Sequence, residues 1–287
     1  MTSNWYYQLS NGDIISGSAD KTIRIWNHGN GELVRTLSGH TSGVNSVYQL
    51  ANEDILSGSG DGTIRIWNHE NGELVRTLSG HTSAVKSVYQ LANGNIISGS
   101  ADKTIRIWNH GNGELIRTIS GHTSGVDSVY QLANGDILSG SGDGTIRIWN
   151  HENGELVRTL SGHTSWVKSV YQLANGDILS GSGDGTIRIW NHENGELVRT
   201  LFGHVSWVFS VYQLANGNII SGSQDRTIRI WNHENGELIR TISGHTSGVD
   251  SVYQLANGDI LSGSGDGTIR IWNHENGELV RTLTGHT

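Results

Sequence analysis

The chain has no cysteine, no proline, one methionine and two phenylalanines in 287 residues. Without cysteine there is no disulfide framework and no thiolate metal site, a composition compatible with a reducing compartment, so a soluble cytoplasmic protein is expected. Positive charge is also scarce: 19 Lys and Arg against 27 Asp and Glu leave a net charge of −8, which argues against bulk attraction to nucleic acid or an anionic membrane. Met1 to Tyr7 lacks the basic and apolar regions of a signal peptide, and no apolar run reaches membrane-spanning length. Hydrophobic residues are 34% of the chain, enough for a sizeable core.

What is present is repetition. Thr-Ile-Arg-Ile-Trp-Asn-His occurs unchanged from Thr22, Thr63, Thr104, Thr145, Thr186, Thr227 and Thr268, each copy 41 residues after the last. A fixed period of this size means a tandem array, and seven periods account for the whole length. One closed domain is therefore expected over 1–287, with units at about 1–41, 42–82, 83–123, 124–164, 165–205, 206–246 and 247–287.

The second copy serves as the specimen. Val44–Leu50, Ile55–Ser59, Thr63–Trp67 and Glu73–Leu78 are rich in β-branched and aromatic residues, and polar Asn, Asp and Gly clusters separate them. Asn-Gly and Asp-Gly suggest two-residue hairpin turns in which both central residues take positive φ. With no helical spacing and no proline, the array reads as all-β, four antiparallel strands per period. Such a sheet is apolar on both faces, with Ile64 and Ile66 pointing one way and Ile55 and Trp67 the other. Stacking copies into a ring hides both faces of every sheet, which predicts a seven-bladed β-propeller.

Gly39-His40, Ser57-Gly58-Ser59, Asp61-Gly62-Thr63 and Trp67-Asn68 resemble the WD40 repeat, over the full chain and in seven copies. Asn27, Asn68, Asn109, Asn150, Asn191, Asn232 and Asn273 depart from that family's Trp-Asp close, a change expected to matter little to the fold. Near identity of the copies is similar to recently amplified bacterial arrays or a designed one. WD40 propellers usually close by a strand shared between first and last blades. This chain instead begins its first blade at an innermost strand near Asn4 to Leu9 and completes its last near Leu283. Gly285-His286-Thr287 would continue in register into Met1, so His286 is expected to serve blade one, closing the ring without a strand swap. The abrupt finish suggests a piece cut from a longer array.

His40, Ser57, Asp61 and Trp67 superficially suggest a hydrolase triad. A triad is needed once, whereas this set recurs seven times and brings an indole N–H to the serine oxygen. The resemblance implies a buried structural tetrad in each blade: also His286, Ser16, Asp20, Trp26; His81, Ser98, Asp102, Trp108; His122, Ser139, Asp143, Trp149; His163, Ser180, Asp184, Trp190; His204, Ser221, Asp225, Trp231; and His245, Ser262, Asp266, Trp272. Gly58, Gly60 and Gly62 mimic a phosphate loop but precede a strand, not a helix. His28, His69, His110, His151, His192, His233 and His274 form a second ring, too dispersed for a tetrahedral metal site. No catalytic residue, metal or cofactor is expected.

The functional signal lies where copies differ. Asn45, Lys86, Asp127, Lys168, Phe209 and Asp250 share one position, and Gly43, Ala84, Gly125, Trp166, Trp207 and Gly248 another two residues earlier. Gly60 and Gly62 become Ala101 and Lys103 in blade three and Gln224 and Arg226 in blade six. These positions share one end of the blade, which in WD40 relatives is the partner-facing top. Trp166, Phe202, Val205, Trp207 and Phe209, with Lys168, Gln224 and Arg226 around them, mark blades five and six as a candidate hot spot for a protein or peptide. The expected function is a non-catalytic recognition scaffold, a monomeric ring that binds no nucleic acid and no membrane. The alternative is a product of repeat amplification or design with no evolved ligand.

Overall fold

The period-two alternation within each copy is realised as a four-stranded antiparallel sheet, and the computed structural model, which describes residues 5–286, contains seven of them. Blade one runs β1 (Trp5–Gln8), β2 (Ile14–Gly17), β3 (Thr22–Trp26) and β4 (Leu33–Ser38); blade two runs β5 (Val44–Gln49), β6 (Ile55–Ser59), β7 (Ile64–Trp67) and β8 (Leu74–Leu78). Strands lie in chain order within every sheet, and among the described residues no sheet borrows a strand from another. The third strand of blade two begins at Ile64, one residue later than expected, and Thr63 ties the preceding turn to it: its N–H and its hydroxyl both donate to Asp61 Oδ1, at 2.9 and 2.6 Å.

The hairpin turns differ from the sequence expectation. Only the glycine is left-handed (Gly62 φ 81°, Gly94 φ 86°), while the Asn or Asp before it is not among the positive-φ residues. Gly62 N–H donates to Ser59 C=O and Ser59 N–H to Thr63 C=O, so the loop is longer than a two-residue type I′ turn and needs one left-handed residue, not two.

Both faces of each sheet are buried by neighbours, as the alternation requires. Ile55 and Trp67 pack with Ile15, Ile23, Ile25 and Leu37 of blade one, whereas Ile64, Ile66 and Leu78 pack with Val85, Val88, Ile96 and Trp108 of blade three. Each fully buried aliphatic side chain contributes about 1.5–3 kcal/mol, so the interfaces carry the stability. The seam between blades seven and one is built the same way. Ile14 and Trp26 join Leu255, Leu261, Ile271 and Leu283, Ala256 N–H donates to Gln8 Oε1 at 2.7 Å, and Arg281 Nη1 donates to His28 C=O at 2.7 Å. The ring is closed. The expected continuation from Thr287 into Met1, and the strand start at Asn4, lie outside the described residues.

Two bulges recur. In the outer strands the register slips opposite the tetrad tryptophan, as between Ile66↔Arg76 and Trp67↔Leu74. In the innermost strands it slips at Val44↔Ser59 and Ser46↔Gly58, leaving Asn45 as the extra residue, and likewise Lys86, Asp127, Lys168, Phe209 and Asp250. A bulge re-aims one side chain. Further down the innermost strands Tyr7, Tyr48, Tyr89, Tyr130, Tyr171, Tyr212 and Tyr253 touch in an unbroken circle, ring centroids 4.9–5.6 Å apart.

Candidate functional site

The β2–β3 type turn and the loop entering each blade converge, and the tetrads form where they meet. In blade two Trp67 Nε1 donates to Ser57 Oγ at 2.9 Å, Ser57 Oγ lies 2.8 Å from His40 Nε2, and His40 Nδ1 lies 2.8 Å from Asp61 Oδ2. With Nδ1–H donating to the carboxylate, Nε2 accepts from the serine hydroxyl, and every polar atom in the chain is used. The same three contacts, 2.7–2.9 Å, occur in blade three (His81, Ser98, Asp102, Trp108), blade four (His122, Ser139, Asp143, Trp149) and blade five (His163, Ser180, Asp184, Trp190). Blades six (His204, Ser221, Asp225, Trp231) and seven (His245, Ser262, Asp266, Trp272) repeat them. Blade one takes its histidine from the other end of the chain: His286 Nε2 is 2.8 Å from Ser16 Oγ and His286 Nδ1 2.8 Å from Asp20 Oδ2, with Trp26 Nε1 donating to Ser16 at 2.8 Å.

Burial favours the neutral imidazole in five of the tetrads. Burial holds His40, His81, His122, His245 and His286 below their usual pKa, against the pull of the partner aspartate. Burial pushes the Asp61 carboxyl up, but hydrogen bonds from Thr63, the Thr41 backbone and His40 outweigh it and hold it at about 2. The serine oxygens are fully buried, so no acyl group reaches them, and the geometry is that of a strut. An arginine completes each set: Arg65 lies 5.8 Å from the Trp67 ring, with equivalents in all seven blades. The sequence reading did not single out these arginines.

The second ring of histidines sits at the opposite end. His151 Nδ1 is 3.2 Å from Asp136 and His192 Nδ1 3.2 Å from Asp177, while His69 lies between Glu53 (3.3 Å) and Asp54 (3.4 Å). They bridge two turns of one blade.

At the tetrad end, blades five and six carry an aromatic platform. Trp166 is 46% exposed and its ring meets the Trp207 ring at 5.9 Å and 42°; Trp207 meets Phe209 edge-on at 6.1 Å. Each indole lies over the turn glycine of the preceding blade, since a Cβ on Gly142 or Gly183 would stand 3.5 Å from Trp166 or Trp207. Backbone hydrogen bonds fix the pair: Gly183 N–H to Trp166 C=O and Gln224 N–H to Trp207 C=O, both 2.8 Å. Lys168, expected on the outer surface, is instead turned inward by its bulge. Its Nζ lies 4.2 Å from the Trp166 ring centre, 5.5 Å from that of Trp207 and 3.5 Å from Asp127 Oδ2. Burial lowers the Lys168 pKa and raises that of Asp127, each partly offset by the other. Phe209 is half-buried; Gln224, whose N–H reaches Trp207 C=O, and Arg226, two residues on in the same turn, are exposed. Phe202 (74% exposed) and Val205 (87%) stand clear in the loop entering blade six.

Seven identical sheets about one axis, pinned by buried tetrads, define a β-propeller of the kind that serves generally as a protein-interaction scaffold. The sequence profile of the WD domain, G-beta repeat matches residues 6–27, 31–68, 72–109, 113–150, 154–191, 195–232 and 236–273, and the chain belongs to that family. The crystal structure of the WD40 beta propeller domain of Doa1 superposes with a TM-score of 0.85 at 31% identity, covering 96% of this chain and 93% of that one. No curated protein sequence matches. Among the described residues no helix is long and apolar enough to cross a membrane.

Proposed function

We propose that the chain is a non-catalytic scaffold that holds a protein or peptide segment on the end of the ring bearing Trp166 and Trp207. One observation carries the reading: two tryptophans occupy a position that is glycine or alanine in blades two, three, four and seven, and they meet at 5.9 Å, Trp166 exposed and Trp207 half-buried, while the largely covered Lys168 holds them from below. Exposed, rigid aromatics with a polar rim are what interface hot spots use. Phe202, Val205 and Phe209 enlarge the apolar area, and Gln224 and Arg226 supply the rim. A ring that covers its own sheet faces needs no second copy, so the scaffold works as a monomer. Selection from a displayed random-peptide library tests the reading. Enriched sequences that bind the wild type but not Trp166→Ala/Trp207→Ala support it; a library that yields none, or binders indifferent to both changes, favours an amplified array without a ligand.

A further inference from the structure

The charge of the molecule is divided between its two ends. The seven tetrad aspartates are matched in number by the seven arginines that lie beside the tetrad indoles. What remains at that end is five cations (Lys21, Lys86, Lys103, Lys168, Arg226) against two carboxylates (Asp127, Asp250). The opposite end and outer strands hold eighteen carboxylates, thirteen Glu and five Asp, against seven arginines. The net charge of −8 thus conceals a basic face. Innermost strands of six residues in blades two to seven separate the ends by about 20 Å, more than two Debye lengths in physiological salt, so an approaching ligand meets one sign at a time.

The placement of three of these cations is unusual. The residue after the turn aspartate is glycine in blades two, four, five and seven, with φ of 80–81°. In the other three blades it is Lys21, Lys103 and Arg226, at φ 72°, 74° and 70°, a left-handed conformation that disfavours a side chain. Every departure from glycine at this position is a cation, and all three are exposed. A strained backbone position that always exchanges glycine for positive charge points to a use for the charge.

We infer that the partner of this face is an acidic peptide segment, with a large apolar side chain on Trp166 and Trp207 and carboxylates meeting Arg226 beside the platform and Lys21 and Lys103 across the mouth of the ring. The inference rests on the binding face proposed above. Lys168 is already engaged by Asp127 and the two indoles and holds the platform in place. A nucleic acid fits less well. The exposed cations belong to blades one, three and six and do not line a track for evenly spaced phosphates, and Asp127 and Asp250 lie at the mouth. The tilted indoles, 5.9 Å apart at 42°, present no parallel slot for a base.

The test is fluorescence anisotropy with three labelled twelve-residue peptides, each with one central phenylalanine, rich in Glu and Asp, in Ser and Gln, or in Lys, beside a labelled single-stranded oligonucleotide. The acidic peptide is expected to bind at least about tenfold more tightly than the neutral one and to weaken about tenfold in 0.5 M salt. The triple variant Lys21→Gly/Lys103→Gly/Arg226→Gly, which restores the residue four blades already carry, is expected to abolish that preference while leaving the melting temperature undiminished. Equal or tighter binding of the neutral or lysine peptide, lost in Trp166→Ala/Trp207→Ala, overturns the acidic partner and leaves the face standing. Tighter binding of the oligonucleotide overturns the peptide. If no peptide shows dependence on the two tryptophans, the face itself fails and the inference with it.

Discussion

The tetrad histidine and the bulged position of the innermost strand lie five residues apart in blades two to seven, yet they follow opposite rules. His, Ser, Asp and Trp recur seven times without change, whereas the bulge carries Asn45, Lys86, Asp127, Lys168, Phe209 and Asp250. Each tetrad atom has a partner on both sides, and any substitution strands a buried group at about 1–3 kcal/mol. A bulged residue owes nothing to the ladder, so its side chain is free to vary. The ring has a frame that tolerates little change and a mouth that tolerates much, and the binding face proposed above draws on the second.

The largest expected effect acts on all tetrads together. His40, His81, His122, His245 and His286 have folded pKa values below 6.5, so the unfolded chain takes up protons first and stability falls as pH drops through that value. Asp20, Asp61, Asp102 and Asp266, held at about 2 instead of 3.8, contribute stability above 3.8 that is lost between there and about pH 2. Urea midpoints should be flat above about pH 7.5, decline below 6.5 and collapse below 4. A midpoint unchanged from pH 7.5 to 5 would remove the tetrads from the frame.

Next comes a single tetrad. His122→Ala leaves Asp143 and Ser139 without their partner and should cost about 3 kcal/mol. His286→Ala should cost the same, because the closing seam is built like the others. A much smaller loss at His286, read by thermal melting, would mean that the last blade is not a full member of the frame.

The mouth should behave in the opposite sense. Trp166→Ala/Trp207→Ala should weaken peptide capture by about 2 kcal/mol, roughly thirtyfold, with less than about 1 kcal/mol of stability lost. Equal losses in both measurements would make the indoles packing residues and erase the distinction between the two regions.

The smallest effect separates charge from strain. Arg226→Gly and Glu53→Gly each relieve a left-handed side-chain position (φ 70° and 71°) and should each stabilise by about 0.5–1 kcal/mol. Only the first should alter binding, since Glu53 lies at the acidic end.

The sequence made the frame legible because strand alternation and a 41-residue period leave one consistent packing: Ile55 with Trp67, Ile64 with Ile66, each pair to its own neighbour. Register also assigned His286 to blade one, and the WD40 resemblance set it against Ser16, as the structure shows. Ladder slips were not legible, and they decide where Lys168 points. The variable positions set it among the residues facing out at the top, whereas at the bulge it lies beneath Trp166 and towards Asp127. The turns misled for a related reason: Asp-Gly suggested two left-handed residues, but the hydrogen bond from Ser59 N–H to Thr63 C=O lengthens the loop and leaves only Gly62 left-handed. The tyrosines were visible at 41-residue spacing, but their meeting arises from the curvature of the ring, which no single strand encodes.

That circle of phenols sets a ceiling in base. Burial and the neighbouring rings raise Tyr7, Tyr48, Tyr171 and Tyr253 above 10 and Tyr130 to about 12. A phenolate formed there would lose its hydration among packed rings, and each further one would also meet the charge of those already formed, so the unfolded chain ionises first. The share of stability the phenols hold is present below pH 10 and drains away above it, so the hub where all seven blades meet is where strong alkali forces them apart.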